Sequence, residues 1–168
     1  MNGSYVLLVE LPDDRYIPIG KLGRVFFPKA CYAYVGSAMN GFAARLGRHL
    51  RREKKLHWHI DYFLKEAEIR EIVLCRTDER VECALSLALA KHFPFIPGFG
   101  SSDCKCDSHL YFGNEKEGMK FRVAQAASEA GLAVQVLSVS SGDRGAVCTG
   151  MKAPEWVLPM AVNAGFQA

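Results

Sequence analysis

The chain has 168 residues, 49% apolar and 23% charged, with a net charge of +3. That is ordinary globular composition and room for one well-packed domain with a small appendage. No apolar run approaches the roughly 18 residues needed to cross a bilayer, which argues against a helical membrane protein.

The opening MNGSYVLLVELPDD has no basic n-region, and its short apolar run ends at Glu10. It reads as a first strand, Ser4 to Leu11, closed by a Pro12-Asp13-Asp14 turn, and not as a secretory signal. A cytoplasmic location is therefore expected. The six cysteines are then thiols or metal ligands before they are disulfides. Arg15 to Ile19 and Arg24 to Phe27 read as a hairpin around Gly20-Lys21-Leu22-Gly23. Cys31 to Ser37 reads as the next strand, and Asn40 as the N-cap of a helix running to about Arg52. Phe42, Leu46 and Leu50 give that helix its buried stripe, while Arg45, His49 and Arg52 follow helical spacing on another face.

LHWHIDYFLKEA fits a strand or a short helix, with helix favoured. Ile69 to Leu74 reads as a strand. Thr77 or Asp78 then caps a helix to about His92, with Val81, Leu85, Ala88 and Leu89 buried and Glu82 on a flank. The loop PFIPGFGSSDCKCDS leads to a strand at His109 to Phe112, and Asn114 to Gly118 reads as a linker. Beyond it are predicted a helix from Met119 to Ala130, a strand from Leu132 to Val139, a glycine-rich loop and a final short helical piece. The predicted domains are residues 1–113 and a C-terminal extension, 114–168, with no nameable chemistry. The Gly142-Asp143-Arg144-Gly145 loop is too unlike a P-loop to suggest nucleotide binding.

Charge is unevenly placed. Between Gly41 and Lys55 stand Arg45, Arg48, Arg51, Arg52, Lys54 and Lys55 against the single acid Glu53, a local net of +5 that leaves the rest near −2. Such a concentration is either a solvated helix face or an electrostatic footprint for a polyanion. Arg48, Arg51, Arg52, Lys54 and Lys55 are the candidate nucleic-acid contacts.

Cleaving a phosphodiester requires a cation on the developing phosphorane charge and a group to deprotonate water. Arg45 and His49, one turn apart, could both face Tyr32 or Tyr34 at the strand end. A tyrosine, with an unperturbed pKa near ~10, acts as a base only beside a cation. A carboxylate such as Glu82 could hold Mg²⁺, which keeps most of its waters.

Taken in order, a series of motifs resembles the GIY-YIG nuclease superfamily. Gly3-Ser4-Tyr5, Ile19-Gly20-Lys21-Leu22-Gly23, Tyr34-Val35-Gly36-Ser37-Ala38 and Arg45-Leu46-Gly47-Arg48-His49 come first. His57-Trp58-His59-Ile60-Asp61-Tyr62, Glu82-Cys83 and Gly98-Phe99-Gly100-Ser101-Ser102-Asp103-Cys104-Lys105-Cys106 follow. Together they are similar to the Uri-type predicted endonucleases, a branch also found fused to endonuclease III, over about residues 3 to 112. The resemblance implies an α+β fold, a small antiparallel sheet flanked by helices with an inserted hairpin. It also implies Mg²⁺- or Mn²⁺-dependent hydrolysis of nucleic acid, DNA being the expected partner. By that resemblance Tyr5 and Tyr34 hold or deprotonate the attacking water, Arg45 stabilises the transition state, His49 assists, and Glu82 holds Mg²⁺. Ser37 stands where many relatives carry lysine, and the alignment can place Ser86 in the position of the metal glutamate. A nucleic-acid-binding module whose catalysis has lapsed is the alternative, and a zinc-stabilised interaction domain the third.

Cys104, Cys106 and His109 are candidate zinc ligands, with the fourth to come from Cys31, Cys75, Cys83 or His57; free thiols in a packed loop are the competing reading. His57, His59 and Asp61 also match the HxHxD of metallo-β-lactamase-type hydrolases, but Tyr62 stands where that site needs histidine. A buried structural pair beside the basic helix is the stronger reading.

Overall fold

The structure is a computed structural model and describes residues 1–140. Its strands are β1 (Gly3–Leu11), β2 (Arg15–Pro18), β3 (Arg24–Phe27), β4 (Ala30–Ser37), β5 (Glu68–Arg76), β6 (Leu110–Gly113) and β7 (Val134–Ser138). Its α-helices are α1 (Phe42–Leu50), α2 (His59–Phe63), α3 (Glu82–Ala90) and α4 (Lys116–Glu129). Five strands make one antiparallel sheet in the order β6-β4-β1-β5-β7, and β2 pairs with β3 as the separate hairpin. This is the α+β class expected, a sheet flanked by helices.

The sheet is the middle of three layers because β1 is apolar on both faces. Tyr5, Leu7, Val9 and Leu11 point into one core with Phe42, Leu46, Ile60 and Phe63 from α1 and α2. Val6 and Leu8 point into the other, against Leu85, Leu89, Met119 and Val123 of α3 and α4. Alternation along a strand puts these two sets on opposite sides. Burying each such aliphatic side chain contributes about 1.5–3 kcal/mol, so the central strand organises both layers. The hairpin is pinned by Ile17 and Phe27, while Tyr16 and Phe26 face solvent.

Residues 114–140 supply α4 and β7 to the same sheet and its second core. The Asn114–Gly118 linker is shorter than expected because α4 begins at Lys116, where Lys116 and Lys120 pair with the buried Glu71. The Gly142–Gly145 loop and the final helical piece lie outside the described residues.

Helix starts differ most from the sequence expectation. Asn40 does not cap α1; the backbone N–H of Phe42 instead donates to the carbonyl of Met1 at 3.1 Å. Thr77 caps a turn, its Oγ1 accepting the Glu79 N–H at 3.0 Å, and α3 begins only at Glu82. Short polar side chains bond nearby backbone in turns as readily as at helix ends, so the same residues signal both.

Candidate active site and candidate metal centre

A cleft of about 430 Å³ opens where β1 and β4 end against α1 and α3, and Tyr5, Tyr34, Arg45 and Glu82 all line it. Ser37, Trp58 and Asp103 share its wall. Tyr5 lies opposite Gly36, and Tyr34 opposite Leu7, in the β1–β4 ladder. Residues paired this way project from the same face, so the two tyrosines are diagonal neighbours on the α1 side. Gly36 is required there: a Cβ on it would lie 2.4 Å from the Tyr5 hydroxyl oxygen.

His49 stands behind Tyr5 and off the cleft wall, with Nε2 2.6 Å from the Tyr5 hydroxyl. It is 3% exposed, and its Nδ1 is buried with no hydrogen-bond partner among the described residues. Nε2 is thus the nitrogen through which the imidazole can exchange a proton. Burial, reinforced by the nearby Lys54 charge, lowers the His49 pKa to about 3, so the ring is neutral near pH 7. Burial also raises both tyrosines well above their ordinary value, with Arg45 acting in the opposite direction on each.

Arg45 is aimed by an aromatic support. Its guanidinium carbon lies 4.3 Å from the Trp58 ring centroid, and that of Arg48, one turn on, lies 4.6 Å away. Trp58 is in turn held by Asp61, which accepts the backbone N–H groups of His57 and Trp58, each at 2.9 Å. Arg48 donates to the same Asp61 oxygen at 2.5 Å, and Lys54 lies 3.8 Å from the other. Burial pushes the Asp61 carboxyl up, but the two backbone donors and Arg48 together carry it below the usual range. Lys54 also donates to the carbonyls of Arg48 and His49 at the negative end of α1, each at 3.0 Å. Of the basic run, then, Arg48 and Lys54 are internal ties, while Arg51, Arg52 and Lys55 are exposed. The HxHxD segment forms a helical turn whose carboxylate pairs with backbone and α1; His57 contributes its main chain, not its ring.

Glu82, not Ser86, faces the cleft. Ser86 is fully buried, with Oγ 2.9 Å from the Ser108 carbonyl and 2.7 Å from the Tyr111 hydroxyl. Glu82 Oε1 instead lies 3.0 Å from Nδ1 of His109, a short contact whose alignment falls outside hydrogen-bond geometry. Beyond His109 the donor atoms of Cys83, Cys104, Cys106 and His109 all lie within 4.8 Å of one another. This Cys₃His cluster could hold a metal ion. Cys83 answers the search for a fourth ligand; Cys75 is buried in the second core and Cys31 sits on β4. Burial, with Cys83 and Cys104 alongside, pushes the Cys106 thiol up to about 12. Thiols crowded this way ionise together only when a cation joins them.

Sequence reasoning did not single out Trp58 as the support of Arg45, nor Arg80 on the cleft wall. Trp58 is distant from Arg45 in sequence, and only the Asp61-centred turn brings them together.

Fold and site thus define a small α+β domain with a tyrosine-arginine-glutamate cleft beside a thiol-imidazole cluster. The chain belongs to the family described as domain of unknown function DUF123, which it matches over residues 4–132. No curated protein and no solved structure matches it. No helix among the described residues is long and apolar enough to cross a membrane.

Proposed function

We propose that this domain is a divalent-metal-dependent endonuclease that hydrolyses nucleic-acid phosphodiesters, with DNA as the expected substrate. The observation that carries the reading is the convergence of Tyr5, Tyr34, Arg45 and Glu82 on one cleft from four different elements. The ordered motifs that resemble Uri-type endonucleases support it from the sequence side.

The residues divide the work by chemistry. Arg45, stacked on Trp58, presents a permanent cation to the non-bridging phosphate oxygens where negative charge grows. Tyr34 orients the attacking water. Tyr5, its hydroxyl held 2.6 Å from Nε2 of the neutral His49, keeps that water aligned by hydrogen bonding, and the water's proton leaves to solvent through the open cleft. The water oxygen bonds to phosphorus, the opposite ester bond breaks, and the departing alkoxide takes a proton from solvent. Glu82 fits Mg²⁺ as a single carboxylate on an open, polar cleft, the minimum such an ion accepts because it keeps most of its waters. When bound, Mg²⁺ supplies positive charge at the phosphoryl oxygens. Exposed Arg51, Arg52 and Lys55 hold the flanking backbone.

Cys83, Cys104, Cys106 and His109 are assigned to structural zinc, because three thiols and one imidazole with donor atoms within 4.8 Å of one another select it over the harder ions. The test is a cleavage panel of structured and unstructured DNA and RNA with Mg²⁺, Mn²⁺ and EDTA. Metal-dependent cutting is expected. Binding without cutting under every condition would leave a lapsed nuclease, a reading that Ser37, in place of a lysine on the cleft wall, would favour.

A further inference from the structure

Glu82 and Cys83 are consecutive residues in the first turn of α3, yet they serve different sites: Glu82 lines the cleft and Cys83 joins the thiol-imidazole cluster. His109, 1% exposed, has one ring nitrogen beside Glu82 and the other beside Cys104 of the cluster. Nε2 is 3.4 Å from the Cys104 sulfur. Bond lengths of about 2.3 Å to sulfur and 2.0–2.1 Å to nitrogen set a sulfur-to-nitrogen edge of about 3.5 Å in a tetrahedral zinc site. Nδ1 is 3.0 Å from Glu82 Oε1. A zinc-bound histidine commonly donates its second N–H to a carboxylate; seating Nε2 on the metal would turn Nδ1, now close to Oε1 but out of alignment, onto that oxygen and fix both groups.

The main chain of His109 joins the remaining walls. Its carbonyl accepts the Val35 N–H at 2.9 Å, next to Tyr34 on β4, and its own N–H donates to the Phe99 carbonyl at 2.7 Å. The adjoining Gly100 N–H donates to Nδ1 of His59 at 2.9 Å, so the 99–103 wall of the cleft is tied across to α2. Gly100 has φ +71°, and a Cβ there would meet Tyr34 at 3.1 Å and His109 at 3.3 Å. Three walls of the cleft therefore meet at one residue that is also a cluster ligand.

We propose that zinc in the Cys83-Cys104-Cys106-His109 cluster is the positioning device of the cleft, fixing Glu82 through the His109 ring so that its other oxygen is presented to the divalent cation. The inference rests on the reading of Glu82 as the ligand of that cation. His109 and the cluster are positioning groups; they touch neither nucleic acid nor the reacting atoms. Loss of zinc would free the imidazole and the 99–109 segment, leaving Glu82 without its lateral support.

The test measures Mn²⁺ binding by electron paramagnetic resonance without nucleic acid, so it does not depend on cleavage. Zinc-loaded protein, the same protein stripped by chelator, and the stripped protein reloaded with zinc are compared, with circular dichroism as the folding control. Stripping should weaken Mn²⁺ binding about 10- to 100-fold, the usual effect of losing an outer partner of a metal ligand, and reloading should restore it. His109→Cys separates the roles, because a Cys₄ site still holds zinc but removes the ring beside Glu82. It should keep about one equivalent of zinc and show the same weakened Mn²⁺ binding. Should stripping unfold the chain, the His109→Cys comparison decides. Parental Mn²⁺ affinity in zinc-loaded His109→Cys, or in folded stripped protein, overturns the coupling. If Glu82→Gln binds Mn²⁺ as the parent does, the cation assignment itself fails. A parent that never cuts but shows zinc-dependent Mn²⁺ binding loses only the nuclease reading.

Discussion

The Tyr5 hydroxyl and Nε2 of His49 lie 2.6 Å apart across a buried contact that joins the central strand to the basic helix. Because His49 is buried neutral, with a pKa lowered to about 3, protons bind the unfolded chain before the folded one as pH falls. The unfolded imidazole titrates near ~6.5, so this residue opposes folding increasingly below that pH and down to about 3. From pH 7 to pH 5 it should remove about 2 kcal/mol of stability. His49→Gln should flatten that segment of the profile. Urea melts at pH 5, 6 and 7 would show it, and equal slopes for parent and variant would refute the buried neutral imidazole.

Arg45 and Glu82 should separate chemistry from binding. Arg45→Ala should slow single-turnover cleavage by ~10²-fold or more, as loss of a transition-state donor does elsewhere. Equilibrium binding should weaken by no more than one phosphate contact. Glu82→Gln should abolish metal-dependent cleavage yet bind nucleic acid as well as the parent, since one negative charge near the phosphate is gone. Cleavage at the parental rate by Glu82→Gln would remove the metal assignment.

The basic run should divide into two classes on substitution. Replacing exposed Arg51, Arg52 and Lys55 by Ala should flatten the slope of log K against log salt by about 2 to 3 units, at roughly 0.9 per contact on duplex DNA, with little change in melting temperature. Arg48→Ala should instead destabilise the fold, because buried Asp61 loses its closest cation; breaking such a pair costs about 3–5 kcal/mol. Salt-dependence and melting curves on the two variants distinguish the classes. An Arg48→Ala protein of parental stability would show that the Asp61 turn stands without it.

Gly36→Ala is a steric test of the tyrosine pair. Its new methyl would overlap the Tyr5 hydroxyl, so the ring must shift away from His49 or β4 from β1. Overpacking of this kind typically costs 1–3 kcal/mol, about the range expected here. Cleavage should fall more than stability implies, because the 2.6 Å contact with His49 is lost. Activity unchanged at full stability would remove Tyr5 from the mechanism.

Most of the fold was legible because its strongest signals are local. The apolar run of β1, the hairpin turn and the Phe42-Leu46-Leu50 stripe each specify an element without reference to the rest of the chain. Helix starts were less legible: Asn40 and Thr77 are good caps by type, but a carbonyl of Met1 and a local turn take the positions instead. In the site, the tyrosines, Arg45 and Glu82 could be read from motif order. The division of Arg48 from Arg51, and of Cys83 from Cys75, could not. Each pair looks alike in sequence, and only the placement of Asp61 and of the 99–109 segment decides which member has a partner.

The first three carbonyls of the chain hold three elements that carry the cleft. Met1 accepts from Phe42 at the start of α1, Gly3 from Ala38 at the end of β4, and Asn2 from Thr77 as β5 turns toward α3, at 3.1, 2.8 and 3.2 Å. These bonds use main chain only, so the side chains at positions 1 and 2 are free to drift, whereas Gly3 is not, since a Cβ there would lie 2.0 Å from the Cys75 carbonyl oxygen. Among chains of this family, spelling should vary here while spacing does not. A one-residue deletion before Tyr5 would disarm the cleft without altering any of its chemical groups.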